Sequence, residues 1–274
     1  FDEPVDRDVI ADPERLAGVM ERQWPAWPPG NRQAYHAITL GFYEGEILRR
    51  VDPRHRTLGQ FFQDEIATPL GEDVFIRLPE EIPNSRLATL ASPGRLEMLI
   101  GFRPLRLMFE GMNRHSNIRR ALAVNPGTSV YLDEERIYAR NLEVPAGGGV
   151  ATARGIAHAY GVFATGGEAL GLRQATLDLL AAPAVPAACG FYDECLKGEV
   201  QFSLGFMKPC ENWPFGGARS FGSPGAGGAN GFADPDAEIG YGYVTSRMGT
   251  TFNGDARDVA LREALYSVLS KGSS

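Results

Sequence analysis

The chain has 274 residues, of which 43% are hydrophobic, and it carries a formal net charge of −7 at pH 7. This length is enough for one large domain or two intertwined ones with a sizeable core, and the acidic balance argues against a nucleic acid as partner. No apolar run approaches the length that a bilayer requires, so we expect no membrane span.

The first predicted element is a helix over residues 11–23. Asp12 is its predicted N-cap, Pro13 suits the first turn, and an apolar stripe along one face is formed by Leu16, Val19 and Met20. The proline-rich residues 24–30 end this helix and predict an extended connection.

Two further helices are predicted before the first strand. Residues 33–51 have a helical pattern that begins near Tyr35. Thr57 and Gln60 form a capping box for the next helix, and Pro69 ends it. Residues 73–78 then predict a short strand.

The middle of the chain is helical where it has a clear pattern. Residues 96–112 have helical apolar density, which Pro104 must break or kink. The charged stretch 130–142 is expected to face solvent, including Asp133, Glu134 and Glu135. A loop over residues 145–149, a helix over 152–165 and a helix over 172–182 complete this region.

The three cysteines are Cys189, Cys195 and Cys210, an odd number without Cys-x-x-Cys spacing. This pattern argues against zinc ligation and against a complete disulfide framework. A single Cys189–Cys195 bridge stays open, while buried free thiols in a reducing compartment are the favoured interpretation. A cytoplasmic location is therefore favoured.

The last quarter of the chain predicts an antiparallel sheet. Residues 199–207 alternate as one strand, residues 229–233 form a short strand before a turn at Asp234-Pro235, and residues 238–248 alternate again. The final helix, residues 256–269, has Asp255 as its cap and should lie on this three-stranded sheet. Its predicted apolar stripe consists of Val259, Leu265, Val268 and Leu269.

A glycine-rich stretch, residues 219–235, lies between these strands. It contains neither of the phosphate-binding patterns Gly-x-x-x-x-Gly-Lys-Ser/Thr and Gly-x-Gly-x-x-Gly. Glycine within a strand pattern marks a bulge or the close approach of another chain or a substrate. The stretch therefore predicts a strand edge or hairpin where a ligand comes near the backbone.

Two segments resemble the serine β-lactamase and penicillin-binding protein superfamily. Phe-Gly-Ser-Pro-Gly-Ala-Gly-Gly-Ala-Asn-Gly-Phe-Ala-Asp-Pro at 221–235, followed by Gly-Tyr-Gly-Tyr-Val, resembles its third active-site strand. Pro-Gly-Asn-Arg-Gln-Ala-Tyr-His-Ala-Ile-Thr-Leu-Gly-Phe at 29–42 is similar to its second motif. The likeness is greatest to the class C-like branch, which includes esterases and D-amino-acid peptidases.

The resemblance implies a role for Tyr35, whose phenol would relay a proton in catalysis. That role requires nearby positive charge to lower the phenol's pKa from about 10. Ala37 stands where the motif has Asn, which fits an esterase better than a β-lactamase. His36 either tunes Tyr35 or is an ordinary residue at the start of a helix.

On the third strand, Ser223 stands where the superfamily has Lys or His, so this position carries no charge. Gly225 is retained for the close approach of a substrate. The backbone N–H of Ala226 is positioned to be one donor of an oxyanion hole, because every residue except proline supplies that group.

The superfamily's nucleophile pattern, Ser-x-x-Lys, does not occur in the sequence, and neither does Gly-x-Ser-x-Gly. The chain opens with Phe1 and has no signal-peptide pattern, which we interpret as a fragment or a processed product. Two explanations compete. Either the nucleophile lies upstream of Phe1, or the fold has lost catalysis and serves as a scaffold or binding subunit.

These interpretations combine into one prediction. The fold is α+β and β-lactamase/transpeptidase-like, with an antiparallel sheet flanked by helices, an all-helical region and the N-terminal part missing. Residues 1–274 form one partial domain, mainly helical over 24–186, with the sheet and terminal helix over 187–274. The function is that of a serine acyl hydrolase acting on a small ester or amide. It needs no cofactor or metal, a homo-oligomer is a candidate assembly, and Tyr35 faces Ser223 and Gly225 across a cleft.

Overall fold

A computed structural model of the chain describes residues 1–94, 113, 116–122, 140, 142–251 and 254–272. The chain divides into two compact units. The first comprises Phe1–Arg86, Arg106–Ala151 and Pro186–Glu199, and the second comprises Leu87–Leu105, Thr152–Val185 and Val200–Ser274. The predicted element at 96–112 and the acidic residues at 133–135 lie outside the described residues.

The first unit is built from helices with two small antiparallel β-ladders. Its helices are α1 (Arg7–Ala11), α2 (Pro13–Arg22), α3 (Leu40–Val51), α4 (Leu58–Phe62), a π-helical turn (Gln63–Ala67), α5 (Thr68–Leu70) and α6 (Asn117–Leu122). Its strands are β1 (Val74–Phe75) paired with β2 (Val150–Ala151), and β3 (Tyr192–Asp193) paired with β4 (Gly198–Glu199).

The helix predicted over residues 11–23 is confirmed as α2. The Asp12 side chain caps it by accepting from the backbone N–H groups of Glu14 and Arg15. Leu16, Val19 and Met20 are buried in a hydrophobic cluster that also holds Val5 and Phe42 among others. The amphipathic pattern identified this helix because its apolar face is the face that packs.

The prediction of a helix from residue 33 is wrong in its start. The helix α3 begins at Leu40 with Thr39 as N-cap. Gln33 instead forms a parallel β-bridge with Asp193, and the backbone N–H of Glu194 donates to Gln33 O at 3.1 Å. Long-range pairing with β3 therefore overrides the local helical pattern around Tyr35.

The capping box of α4 is confirmed, because Thr57 and Gln60 each accept from the other's backbone N–H. The predicted end at Pro69 is slightly early. Pro69 lies inside the final turn, α5, where a residue without an N–H is tolerated at the start of a helix. Gly71, with φ 65°, ends the segment in the left-handed region that favours glycine.

The described residues of the second unit form a five-stranded antiparallel sheet and three α-helices. Its helices are α7 (Ala153–Ala164), α8 (Gln174–Ala181) and α9 (Ala256–Gly272). The sheet has the order β5 (Gln201–Ser203), β6 (Phe206–Lys208), β7 (Phe221–Pro224), β8 (Asn230–Asp234) and β9 (Ile239–Tyr243).

The strand predicted over residues 199–207 is a β-hairpin in the structure. Leu204 and Gly205 both have positive φ, 49° and 84°, and they form the two-residue turn between β5 and β6. Two-residue turns with positive φ at both positions match the twist of the strands that they connect. The unbroken apolar alternation hid the turn, because Leu204 supports a strand pattern although its side chain is 63% exposed.

The glycine-rich stretch forms the β7–β8 hairpin, as predicted, but β7 is not a sheet edge. Its residues pair with β8 from Phe221↔Ala233 to Pro224↔Asn230. On its other side, β7 pairs with β6 at the single position Met207↔Gly222. At the end of β7, Ser223 and Pro224 therefore pair with β8 but not with β6.

The final helix docks through polar side chains rather than through the predicted stripe alone. Val268 is 69% exposed, while Asp258 and Arg262 are buried. The Asp258 carboxylate accepts hydrogen bonds from Asn230 Nδ2 at 3.0 Å, Tyr241 Oη at 2.8 Å and Arg262 Nε at 2.9 Å. One carboxylate thus joins α9 to β8 and β9.

Replacing Asp258 with alanine is expected to lower the free energy of unfolding by about 3–5 kcal/mol, because a buried guanidinium and two further donors lose their acceptor. Chemical denaturation measures this change. Asp178→Ala is the matched control, since its exposed carboxylate bonds only within one helix turn to Gln174. Equal losses for the two variants would contradict the role of Asp258.

Two further predictions concern the pairing of the cysteines and the presence of a membrane span. All three cysteines are free thiols, so the Cys189–Cys195 bridge does not form. Cys195 is buried, as expected, but Cys189 is exposed. Within the described part of the chain, no helix is both long and apolar enough to cross a bilayer.

Candidate active site

Tyr35 and His36 lie in the first unit, directly after the segment that bridges to β3. Gln33 Nε2 donates to Phe191 O at 2.9 Å, in addition to the bridge between Gln33 and Asp193. Tyr35 packs against the unit's buried hydrophobic cluster. The backbone that carries the phenol is therefore held by residues more than 150 positions later in the chain.

Asp193 is a fully buried carboxylic acid beside this segment, and the sequence analysis did not single it out. Its Oδ1 accepts from the backbone N–H groups of Cys195 and Leu196 at 2.9 Å and 2.8 Å. Burial raises the pKa of Asp193, while the surrounding backbone N–H groups act in the opposite direction. An aspartate side chain often accepts from the backbone N–H two residues later and so forms a turn. The sequence contained this signal, because Asp193 precedes Cys195 by two residues.

The pKa of Tyr35 is raised, first by burial and then by the charge of Asp193. The condition that the sequence analysis set for its role, a pKa lowered by nearby positive charge, is not met in this structure. A raised pKa keeps the phenol protonated near neutrality. The role of Tyr35 in proton transfer stays a prediction.

His36 has a side-chain partner at the start of α3. Its Nδ1 lies 2.7 Å from Thr39 Oγ1. Burial lowers the pKa of His36, and the N-terminal ammonium lowers it further, while Asp193 raises it. The neutral ring is favoured as a result. A role of His36 in tuning Tyr35 stays a prediction.

The structure brings Ser223, Gly225 and Ala226 together at the end of β7 in the second unit. Ser223 pairs with Gly231 across the hairpin and its side chain is exposed. The Gly225 N–H donates to Ala229 O at 2.7 Å and closes the turn. Ala226 is exposed and begins a short 3₁₀ turn, so its N–H has no acceptor within that turn.

Packing within the hairpin or against neighbouring residues requires a glycine at three of these positions, but not at Gly225. A Cβ on Gly222 would overlap Gly231 O and lie 2.5 Å from Phe232 Cβ. Gly227 and Gly228 have φ of 81° and 104°, and a Cβ on them would press on Met248 and Asp255. At Gly225, φ is −108° and a Cβ would meet Ala229 only at ordinary contact distance, 3.4 Å.

Under the acyl-hydrolase function that the sequence predicts, Gly225→Ala is therefore expected to lower kcat/KM for an ester substrate at least about tenfold, because displacements of ångström size near reacting atoms suffice for such losses. The free energy of unfolding should change by less than about 1 kcal/mol. Gly228→Ala is the paired control. In that variant the free energy of unfolding should fall, because φ is 104° and the new Cβ would press on Asp255. Natural activity in the Gly225 variant would show that the glycine is not needed for substrate approach.

Tyr35 belongs to the first unit and Ser223 to Ala226 belong to the second. Their meeting across a shared cleft stays a prediction. Among the described residues, no group of three or more His, Cys, Asp or Glu side chains is arranged to hold a metal ion.

Comparisons with known proteins agree with the resemblance. The model of the Beta-lactamase family matches residues 2–266. The esterase/beta-lactamase LipL of Mycobacterium tuberculosis is 30% identical over 240 residues, which cover 84% of this chain and 52% of LipL. The chain thus spans about half the length of this curated relative.

Solved structures are similar over nearly the whole chain. A family VIII carboxylesterase has a TM-score of 0.75 at 30% identity, with 97% of this chain and 66% of that chain covered. EstA from Arthrobacter nitroguajacolicus Rue61a has a TM-score of 0.80 at 26% identity, with coverage of 99% and 69%. A penicillin-binding protein homologue from Caulobacter crescentus has a TM-score of 0.70 at 27% identity, with coverage of 97% and 67%.

These matches confirm the predicted β-lactamase/transpeptidase-like α+β fold. They contradict one part of that prediction, since the family match begins at residue 2 and the N-terminal part of the fold was expected to be missing. The placement in the class C-like branch stays a prediction.

Proposed function

The chain belongs to the Beta-lactamase family, and on that premise we propose that the protein carrying it is a serine hydrolase that cleaves small acyl esters through an acyl-enzyme. The observation that carries this proposal is the exposed end of the β7–β8 hairpin, where Ser223, Gly225 and the Ala226 N–H stand together. Relatives named as an esterase/beta-lactamase and a carboxylesterase support the same chemistry.

Two substitutions favour an ester over a β-lactam as substrate. Ser223 carries no charge where the superfamily has Lys or His, so it offers no cation to a substrate carboxylate. Ala37, which replaces the Asn of the second motif, is buried in the hydrophobic cluster and offers no amide to a substrate. Hydrolysis of a β-lactam is the second candidate, because LipL is named for both activities.

In the proposed reaction, a serine oxygen attacks the ester carbonyl and forms a tetrahedral oxyanion, which the Ala226 N–H stabilises. Tyr35 passes the serine's proton to the departing alcohol, and the acyl group stays on the serine. Water then attacks the acyl-enzyme, a proton of that water returns to the serine oxygen, and the acyl group leaves as a carboxylic acid. This sequence needs only groups that accept and donate protons.

The superfamily's nucleophile pattern does not occur in this sequence. No serine of the sequence is followed by a lysine three residues later. The comparisons support neither the prediction that the nucleophile is missing nor the alternative of a catalytically silent scaffold, since the relatives are named as hydrolases.

The test combines turnover with covalent labelling. The purified protein is assayed with p-nitrophenyl esters of short acyl chains and with a chromogenic cephalosporin, and it is labelled with a fluorophosphonate. We expect ester turnover, slower or no cephalosporin turnover, and a single labelled serine located by peptide mass spectrometry. An absence of both turnover and label would overturn the proposal.

A further inference from the structure

Lys208 is a buried lysine in the second unit, and the reaction proposed above does not use it. Its side chain is 2% exposed and lies on β6 beside the cluster formed by Leu180, Phe221 and Ala233. Charged side chains are almost never fully buried unless they are paired with an opposite charge. In the part of the chain that the structure describes, Lys208 forms no ion pair with a carboxylate.

The partners of Lys208 are uncharged groups from two separate elements. Its Nζ donates to Leu180 O at 2.9 Å, near the C-terminus of α8, and to Arg219 O at 3.3 Å, shortly before β7. The ammonium also lies 5.4 Å from the centroid of the Phe221 ring. A cation at a helix C-terminus and over an aromatic face is favourable in both places.

These contacts bear on the position of the candidate oxyanion strand. β7 pairs with β6 at one position only, Met207↔Gly222. The backbone that leads to Ser223 and Ala226 is held on this side by that pair, by the contact between the Phe206 and Phe221 rings, and by the Lys208 contact to Arg219 O. A small shift at Arg219 would move the Ala226 N–H, whose alignment with a developing oxyanion determines its effect.

We propose that Lys208 is a positioning residue for the β7–β8 hairpin, joining the end of α8 to the start of β7 so that the Ala226 N–H is aligned with the substrate. This inference rests on the proposed function. Lys208 touches no substrate in it and acts through the backbone of β7.

The cost of keeping this charge buried supports a functional reason for it. Burial lowers the pKa of Lys208 from its ordinary value of 10.5 to about 8, and Arg219 adds to this effect. The other charged or titratable side chains on the neighbouring elements are Asp178 on α8, Asp234 on β8, and Arg154, His158 and Tyr160 on α7.

The sign of the stability effect follows from proton linkage. Between pH 8 and 10.5 the unfolded chain binds more protons at Lys208 than the folded chain does. The contribution of Lys208 to the free energy of unfolding is therefore unfavourable below pH 8 and improves as the pH rises through this window. Lys208→Met should abolish that dependence.

The activity test compares Lys208→Met, which keeps the side-chain volume without a donor, with Lys208→Gln, which keeps an uncharged donor. Rates are normalised to the folded fraction, measured by circular dichroism. We expect kcat to fall about 10- to 100-fold in the Met variant and less in the Gln variant, with KM within about twofold. Lys197→Met, at a half-buried lysine of the first unit, is the control and should retain kcat. If kcat per folded molecule of Lys208→Met equals that of the wild-type protein, the inference is overturned.

A second measurement does not depend on activity. Hydrogen–deuterium exchange of the peptide covering residues 219–229 should be faster in Lys208→Met than in the natural protein, while peptides of the first unit are unchanged. Unchanged exchange at 219–229 would refute the positioning role even if no ester is turned over. An absence of turnover by the natural protein would instead refute the proposed function.

Discussion

Replacing Tyr35 with phenylalanine is expected to lower kcat for ester hydrolysis by about 10²- to 10⁴-fold, which is the usual contribution of a positioned proton-transfer group. The free energy of unfolding should fall by no more than about 1.5 kcal/mol, because one hydroxyl is removed and the ring still packs on the hydrophobic cluster. Steady-state kinetics and denaturation of the same preparation measure the two effects together.

Tyr43→Phe is the matched control for this experiment. Tyr43 packs on the same cluster, and burial raises its pKa as it does that of Tyr35. Its loss should leave kcat within about twofold while removing the same hydroxyl. Equal activity losses in the two variants would show that the phenol acts through packing, and full activity of Tyr35→Phe would remove Tyr35 from the mechanism.

The pH profile adds a test of the direction of proton transfer. The raised pKa of Tyr35 means that its phenolate fraction grows with pH throughout the range below that pKa. If the phenolate is the base that activates the nucleophile, kcat/KM rises with pH from neutrality into the alkaline range. This rise should be absent in Tyr35→Phe. A natural profile that is flat above neutrality would indicate that Tyr35 donates a proton instead.

Local sequence patterns predicted the elements whose contacts are made between residues close together in the sequence. The Asp12 cap, the Thr57–Gln60 capping box and the β7–β8 hairpin all depend on neighbours within a few residues, and the structure contains them. The start of α3 was predicted wrongly because Gln33 pairs with Asp193, at a separation that no local pattern reports.

The sequence named candidate site residues only through motif resemblance, as at Tyr35 and Ser223, and their roles stay predictions. Asp193 and Lys208 were missed because their importance comes from burial. Lys208 follows Phe206 at a strand spacing, so its place on an apolar face was a usable signal. The electrostatic state of Tyr35 was not predictable, since it depends on how deeply the phenol and the Asp193 carboxylate are buried together.

The second large effect concerns the glycines of β9, Gly240 and Gly242, which the sequence analysis placed in a strand without giving them a role. In the structure the element that approaches them is α7. A Cβ on Gly240 would overlap Gly161 N and Ala157 O and lie 2.5 Å from Gly161 Cα. At Gly242 a Cβ would overlap Ala153 O and lie 2.7 Å from Ala157 N. The helix backbone thus lies directly on the strand backbone.

Gly240→Ala is expected to lower the free energy of unfolding by more than about 3 kcal/mol, because the atoms that a methyl group would meet are backbone atoms of a helix and cannot rotate away. Denaturant unfolding measures the loss. The variant should also lose activity only in proportion to its unfolded fraction, because the substitution shifts α7 against β9 without touching Tyr35 or Ala226.

Gly45→Ala separates this effect from the general cost of replacing a glycine. Gly45 lies within α3, where a Cβ would meet only Leu58 Cβ at 3.8 Å. Alanine in a helix interior is favoured over glycine by about 0.5–1 kcal/mol, so this variant should be slightly stabilised. If Gly240→Ala is as stable as the wild-type protein, the backbone of α7 does not lie against β9 at Gly161. That result would contradict the packing described for the second unit.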